Sequence, residues 1–226
     1  GASVVVSASG GASHLYNFLY YCPLKKNVFD WVIGGSRAEM IKQGKYRVKS
    51  LKRMRKIIVE GFTMVRELKS LGFNNVVRVP NFKPIDYKAS ITHKKEGDVM
   101  RFVFFSRMHP AKGVNEIIEA CKLLDVTGYA DEYIVDFYGA FDTDYEEQFN
   151  DMIKGHGNIN YKGFLNMLNK SGYDTLSTYD VMLFPTYWDG EGFAGVVLDA
   201  NMSGLPIIAS DWNMNKEVVQ DGKTGF

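Results

Sequence analysis

The sequence predicts an α/β protein built on parallel sheets, and three observations carry that expectation. Short apolar runs alternate with segments of helical spacing along most of the 226 residues. Several of these runs close in Gly, Ser or Pro turns, and a strand–helix–strand succession is the grammar of a parallel sheet with helical crossovers. An apolar fraction of 46%, with 15 Phe and 13 Tyr, supplies enough carbon for a packed interior and argues against disorder.

Taken in order, Val4, Val5 and Val6 read as a buried strand entering a loop at Gly10 and Gly11. An aromatic-rich stretch follows, then a second strand over 28–33 that ends at Gly34 and Gly35. The segment from Arg37 to Lys56 holds nine Lys or Arg and one acidic residue, with apolar residues at roughly helical spacing; it predicts one helix with a basic outer face. Ile57 to Val59 form a strand, Thr63 is placed to cap a helix ending at Gly72, and Val76 to Val79 form another strand before Pro80. Residues 81–99 are polar, contain Pro84 and lack a sustained period, so they read as a linker and an irregular lead-in.

The rest is easier to parse. Strands are expected at RFVFFS, over 133–138, over 159–161, at VMLFP and at PIIAS. Helices are expected at VNEIIEACKLL, in the acidic DTDYEEQFNDMIKGHG, in turns over 166–178 and over 193–203. The expected organisation is a partial N-terminal domain over 1–84, a linker over 85–100 and a C-terminal domain over 101–226 without its last helices. In open parallel sheets, ligands bind outside the carboxyl ends of the strands.

Charge separates the same two regions. Residues 1–100 carry 18 Lys and Arg against 7 Asp and Glu, a balance of +11, while residues 101–226 carry 9 against 19, a balance of −10. Cys22 and Cys121 make no disulfide framework, which fits a reducing compartment such as the cytoplasm. No run of 18 apolar residues spans a membrane, and the opening residues do not read as a signal peptide.

Arg107 and Lys112 flank a short loop between a strand and a helix. Cations beside a helix amino end suit a diphosphate, since side-chain charge and unpaired amides both attract anions; a local ion pair for Arg107 and a solvated Lys112 is the plain alternative. His109, next to that loop, is either a donor to the same group or an ordinary loop histidine. Glu191 and Asp199, eight residues apart, are placed to accept hydroxyl groups of a sugar or ribose across one cleft. The alternative makes Glu191 a capping residue and Asp199 surface decoration. Gly190, Gly192 and Gly195 permit close backbone approach, and the loops at Gly139 and Gly163-Phe164 offer amides or a ring. Neither a P-loop, a GxGxxG fingerprint nor an HExxH or Cys/His zinc pattern occurs. The basic segment of Arg37 to Lys56 admits three meanings: a solvated helix, contact with an anionic membrane surface, or nucleic-acid binding. The acidic second region disfavours the last, and no nucleic acid is expected.

FFSRMHPAKGVNEIIEACKLL, FPTYWDGEGFAGVVLDANMSGLPIIASD and EVVQDGKTGF, in this order, resemble the donor domain of the retaining glycosyltransferases of family 4, of the bacterial polysaccharide or glycolipid type. The resemblance implies the GT-B fold: two Rossmann-like domains with parallel sheets, the N-terminal one incomplete here. It implies transfer of a hexose from a nucleotide diphosphate sugar, a UDP-sugar ahead of a GDP-sugar, to a glycan or lipid-linked acceptor, with no metal and no other cofactor. A non-catalytic sugar-nucleotide-binding subunit or sensor of the same fold is the alternative. By the same resemblance Arg107 and Lys112 hold the donor diphosphate and Glu191 contacts the transferred sugar. Asp199, where Glu is commoner, binds the ribose, and the amides of Gly192, Phe193, Ala194 and Gly195 approach the phosphates, Ala194 replacing the usual Gly. Members acting on lipid-linked acceptors resemble peripheral proteins of the cytoplasmic face, which gives the basic segment a meaning.

Overall fold

The computed structural model describes residues 4–6, 27–84, 99–142 and 144–226. The loop at Gly10 and Gly11, the aromatic-rich stretch after it and most of the expected linker lie outside these residues. The chain divides into two compact units: Gly1–Asn81 with Asp189–Ala194, and Phe82–Trp188 with Gly195–Phe226.

In the first unit, β1 (Val4–Val6), β2 (Val28–Trp31), β3 (Lys56–Val59) and β4 (Val76–Arg78) form a parallel sheet in chain order. Alternate residues of β2 and β3 face inward, and Val28, Ile57 and Val59 are buried, as are Leu51, Met64, Leu68 and Phe73 from the flanking segments. Between β2 and β3 lie two six-residue helices, α1 (Arg37–Lys42) and α2 (Val48–Arg53). The single basic helix expected there is broken because Gly44 sits at φ 73°, a left-handed conformation that ends a helix. Nor is its charge all solvated. Arg37 is buried, with Nη1 2.6 Å from the Asp30 carboxylate and the guanidinium 4.4 Å from the Tyr46 ring centroid. An acid in the apolar run of β2 requires such a partner.

Helix α3 (Phe62–Ser70) buries Met64 and Leu68, one turn apart on one face. Its N-cap is Gly61, with no side-chain cap bond, whereas Thr63 lies inside the helix and its hydroxyl accepts from Arg66 at 2.8 Å. The expected Thr63 cap is therefore displaced by two residues. At the other end Gly72, at φ 79°, lets its own amide and that of Phe73 reach back to the carbonyls of Lys69 and Leu68.

The second unit contains β5 (Met100–Phe105), α4 (Val114–Val126), β6 (Tyr133–Tyr138), α5 (Glu146–Ile153), β7 (Ile159–Tyr161), α6 (Lys170–Leu176), β8 (Val181–Phe184), α7 (Gly195–Met202), β9 (Ile207–Ala209) and the short α8 (Asn215–Val218). Its five strands are all parallel in the order β7-β6-β5-β8-β9. Phe104, Phe137, Phe149, Ile118, Leu176 and Phe184 are essentially free of solvent and form the core. The acidic helix starts at Glu146, later than its sequence suggests, and the helix expected from Phe193 begins at Gly195. Helix α8 has no counterpart in the sequence reading; four residues are too few to show a period.

Asp136, in the middle of β6, is buried and answered by polar neighbours. The hydroxyl of Tyr179 donates to it at 2.7 Å and the amide of Asn160 at 2.9 Å. Tyr179 also meets the Tyr138 hydroxyl at 3.1 Å, so a carboxylate is accommodated inside an otherwise apolar strand.

Candidate active site

The second sheet begins at its centre. From β5 the chain moves outward to β6 and β7, then returns to the other side of β5 for β8 and β9. Such a reversal opens a crevice beyond the carboxyl ends of the two strands where it occurs, here β5 and β8. The residues that follow those two strands therefore border it.

After β5, Arg107 is 52% exposed and only loosely paired with Asp142, at 3.5 Å. His109 caps the 3-10 turn of Pro110–Lys112, its Nδ1 accepting from the Ala111 amide at 3.0 Å. Lys112 ends that turn and is only 7% exposed, so it is not a solvated lysine. Gly113 then enters α4 in the left-handed conformation, at φ 83°. A Cβ there would stand 2.3 Å from the Pro185 carbonyl, so only glycine lets the amino end of α4 reach the exit of β8.

After β8, Thr186 is buried and its carbonyl accepts from the Ser210 hydroxyl at 2.5 Å. The Tyr187 amide donates to the Ala111 carbonyl at 2.9 Å, tying this loop to the 3-10 turn. Trp188 then lies against three side chains of the β5 loop. Arg107 is 5.3 Å and Lys112 5.7 Å from its ring centroid, and the His109 ring meets it edge-on at 5.1 Å. Two cations expected from the sequence thus converge, beside the amino end of a helix, on a tryptophan that sequence reasoning did not weigh. Its only signal was its place between FPTY and DGEG.

The structure also joins Gly139 and Gly163. The Gly139 amide donates to the Gly163 carbonyl at 2.9 Å, and the Tyr161 hydroxyl donates to the Gly139 carbonyl at 2.8 Å. A Cβ on Gly139 would fall 1.7 Å from the Ser106 carbonyl oxygen, so β5 and β6 leave the sheet with their backbones pressed together. Phe164 projects into solvent, 77% exposed.

Asp199 on α7 is only 2% exposed, which excludes surface decoration. Both its oxygens accept from Lys83 Nζ, at 2.6 and 2.5 Å, and one accepts from the Tyr173 hydroxyl at 3.0 Å. Lys83 belongs to a stretch read as linker and lies 116 residues away, so no local pattern announces the pair.

Glu191, Gly192, Phe193 and Ala194 pack with the first unit, while Gly195 and Asp199 belong to the second. Glu191 is buried. Around it, the Phe193 amide donates to the Glu60 carboxylate at 3.2 Å, the Asn81 side chain donates to the Phe193 carbonyl at 3.0 Å, and the Gly35 amide donates to the Gly190 carbonyl at 3.1 Å. A Cβ on Gly192 would come within 2.9 Å of both Glu60 and Gly34, which explains glycine at that point. Burial raises the Glu60 pKa above its ordinary 4.5, partly offset by the amides of Phe193 and Gly34. No pattern in the sequence singled out Glu60.

Elsewhere in the second unit, an apolar cleft of about 250 Å³ is lined by residues including Phe102, Ile117, Cys121 and Leu183. Its walls are nearly all carbon and offer a diphosphate nothing. Among the described residues there is no group of three or more His, Cys, Asp or Glu suited to a metal ion, and no helix long and apolar enough to cross a membrane.

Two Rossmann-like units with parallel sheets define the class of the molecule as the GT-B fold. The chain belongs to the glycosyl transferases group 1 family, whose model matches residues 87–226. It is 27% identical over 177 residues to the capsular polysaccharide biosynthesis glycosyltransferase CapM of Staphylococcus aureus, covering 76% of this chain and 44% of CapM. It is 28% identical over 128 residues to an uncharacterized 41.2 kDa protein from the cps region of Klebsiella pneumoniae, covering 56% of this chain and 32% of that protein. The chain therefore spans less than half the length of either relative. Among solved structures, a mutant of S. aureus TarM in complex with Fondaparinux, alpha-GlcNAc-glycerol and UDP superposes with a TM-score of 0.68 at 16% identity, over 98% of this chain and 44% of TarM. The pneumococcal O-GlcNAc transferase GtfA, in complex with UDP and GlcNAc, gives 0.65 at 17%, over 93% of this chain and 42% of GtfA. At such identities the likeness shows the fold.

Proposed function

We propose that the chain is part of a retaining glycosyltransferase of family 4, and that its second unit binds the nucleotide diphosphate sugar whose hexose is transferred. The observation that carries this reading is the convergence of Arg107 and Lys112 beside α4, at the point where strand order reverses. Two cations and a helix amino end offset the charge that develops on a departing diphosphate. In that step the bond from the anomeric carbon to the diphosphate oxygen breaks, and a bond to the acceptor oxygen forms on the same face. The acceptor proton passes to a phosphate oxygen of the leaving group.

Other assignments extend this reading. Glu191 contacts the transferred sugar, and Asp199, already oriented by Lys83 and Tyr173, accepts from the ribose hydroxyls. The amides of Gly192, Phe193, Ala194 and Gly195 face the phosphates, and Gly139, Gly163 and Phe164 border the base. A UDP-sugar is preferred over a GDP-sugar; the UDP held by the TarM mutant and by GtfA supports that choice. The acceptor is a glycan or a lipid-linked precursor of a bacterial polysaccharide, in keeping with the relative CapM. The exposed lysines and arginines of α1 and α2 would meet an anionic surface on the cytoplasmic face of the membrane.

Calorimetric titration of the chain with UDP, GDP and ADP, with and without EDTA, tests the reading. UDP should bind in the micromolar range, unaffected by EDTA, and binding should be lost in the Arg107→Ala/Lys112→Ala double variant. Undiminished binding by a folded double variant would refute the phosphate site.

A further inference from the structure

Arg107 and Lys112 bring like charges to one ring, Arg107 half exposed and Lys112 nearly out of water, where repulsion is screened least. Lys112 is nearly buried, and the Asp142 carboxylate stands 3.5 Å from Arg107 at the exposed end of the loop. Trp188 adds a contact to both cations. Its ring lies within cation–π range of both charges, at 5.3 and 5.7 Å, and the negative face of an indole attracts a cation without neutralising it. A carboxylate in the same place would compete with the donor's phosphates; a ring does not.

Hydrogen bonds at the Trp188 amide and carbonyl fix the backbone from which the indole projects. The Trp188 amide donates to the Thr186 hydroxyl at 3.3 Å, and its carbonyl accepts from Trp212 Nε1 at 2.9 Å. The Ser210 hydroxyl in turn donates to the Thr186 carbonyl at 2.5 Å, so the loops after β8 and β9 brace one another. Edge-on packing of the His109 ring, itself fixed by the Ala111 amide, limits rotation of the indole.

From this arrangement we propose that Trp188 is the positioning residue of the diphosphate cradle: it holds Arg107 and Lys112 in register before the donor arrives, acting through them and leaving the reacting atoms untouched. The proposal rests on the diphosphate role of those two residues. It predicts that the ring's electrons, beyond its bulk, set donor affinity.

The test compares UDP affinity in the parent chain, Trp188→Phe, Trp188→Leu, Arg107→Ala and the Arg107→Ala/Trp188→Leu pair, with thermal midpoints alongside. Trp188→Leu should weaken UDP about tenfold and Trp188→Phe only about threefold, the range expected when a partly desolvated cation–π contact is removed or reduced. In the Arg107→Ala background the leucine change should weaken UDP by no more than about threefold, because coupled residues are not additive. Equal losses in the phenylalanine and leucine variants, or a full tenfold loss without Arg107, would overturn the proposal. Should Trp188→Leu fail to fold, fluorinated tryptophan takes its place, since it keeps the shape of the ring while draining its face. UDP affinity should then fall with each added fluorine, and that dependence should vanish in Trp188→Phe; a flat response in the parent rejects the ring's role. The Arg107→Ala/Lys112→Ala control separates the two ideas. If it binds UDP like the parent, the diphosphate reading falls and takes this proposal with it. If it loses UDP while Trp188→Leu binds normally, the proposal alone falls.

Discussion

In the first unit the described strands lie side by side in chain order; in the second, the chain starts at the central strand and builds outward in both directions. The same strand–helix grammar therefore yields two different surfaces. A sheet laid down in order has each crossover beside the last, whereas one that reverses leaves two strand exits next to each other with their helices diverging. The second unit places its converging cations in that gap. Both units also bury charge, the first in the Asp30–Arg37 pair and the Glu60 carboxylate, the second in Asp136 and Asp199.

Removing one half of the Asp30–Arg37 pair gives the largest expected effect. Asp30→Ala should destabilise the first unit by about 3–5 kcal/mol because it strands a buried guanidinium, while Asp30→Leu/Arg37→Met together should come close to the parent. Hydrogen exchange at amides of β2 and β3 reads this out, with amides of β5 and β6 as the internal reference. Equal loss of protection in both sheets would show that the units unfold as one.

The second sheet is broken differently, at a point where backbone meets backbone. Gly139→Ala should cost about 3 kcal/mol or more, since the new methyl must displace a carbonyl of the chain leaving β5. Gly163→Ala, at φ 77° with nothing within 4 Å, should cost only about 1–2 kcal/mol, the strain of a left-handed alanine. Urea denaturation of both variants sharpens the comparison; equal losses would mean that the tight seam between β5 and β6 is not what holds Gly139.

A smaller contrast lies in pH dependence, where one carboxylate in each unit has the opposite sign. Burial raises Glu60 above 4.5, so its contribution is fully present below that value and is lost as pH climbs through the raised folded-state pKa. Asp125 on α4 accepts from Tyr133, Asn158 and His156, chiefly Tyr133, which lowers it below 3.8; its contribution is present above that value and disappears as pH falls through the lowered one. Glu60→Gln should therefore flatten the rising-pH side of a denaturation-midpoint profile, and Asp125→Asn the acid side. Profiles that change together would remove the distinction between the units.

Much of the fold was legible because strands declare themselves locally. The runs YIVDFY and INY became β6 and β7 over the residues their composition marks, since β-branched and aromatic side chains suit a buried pleat. The loop that carries Arg107 and Lys112 was legible as a strand–loop–helix pattern. What escaped depends on distance along the chain. Lys83 finds Asp199 across 116 residues, Tyr173 joins from another helix, and Glu60 meets Phe193 across 133. Composition places Arg37 in a basic segment with an outer face, although Asp30, an acid inside an apolar strand, is the clue that a cation must come inward. Trp188 sat in plain view; only folding shows which side chains its ring receives.

At Gly113 no methyl group separates the start of α4 from the Pro185 carbonyl. A seam that close behaves like a gear mesh. The Tyr187 amide, bonded to the Ala111 carbonyl at 2.9 Å, would make the exit of β8 follow an outward swing of the loop after β5, and Trp188 with it. Any opening that admits or releases a nucleotide would then be one collective motion with a single relaxation rate, detectable as concerted line broadening of Arg107 and Trp188 resonances.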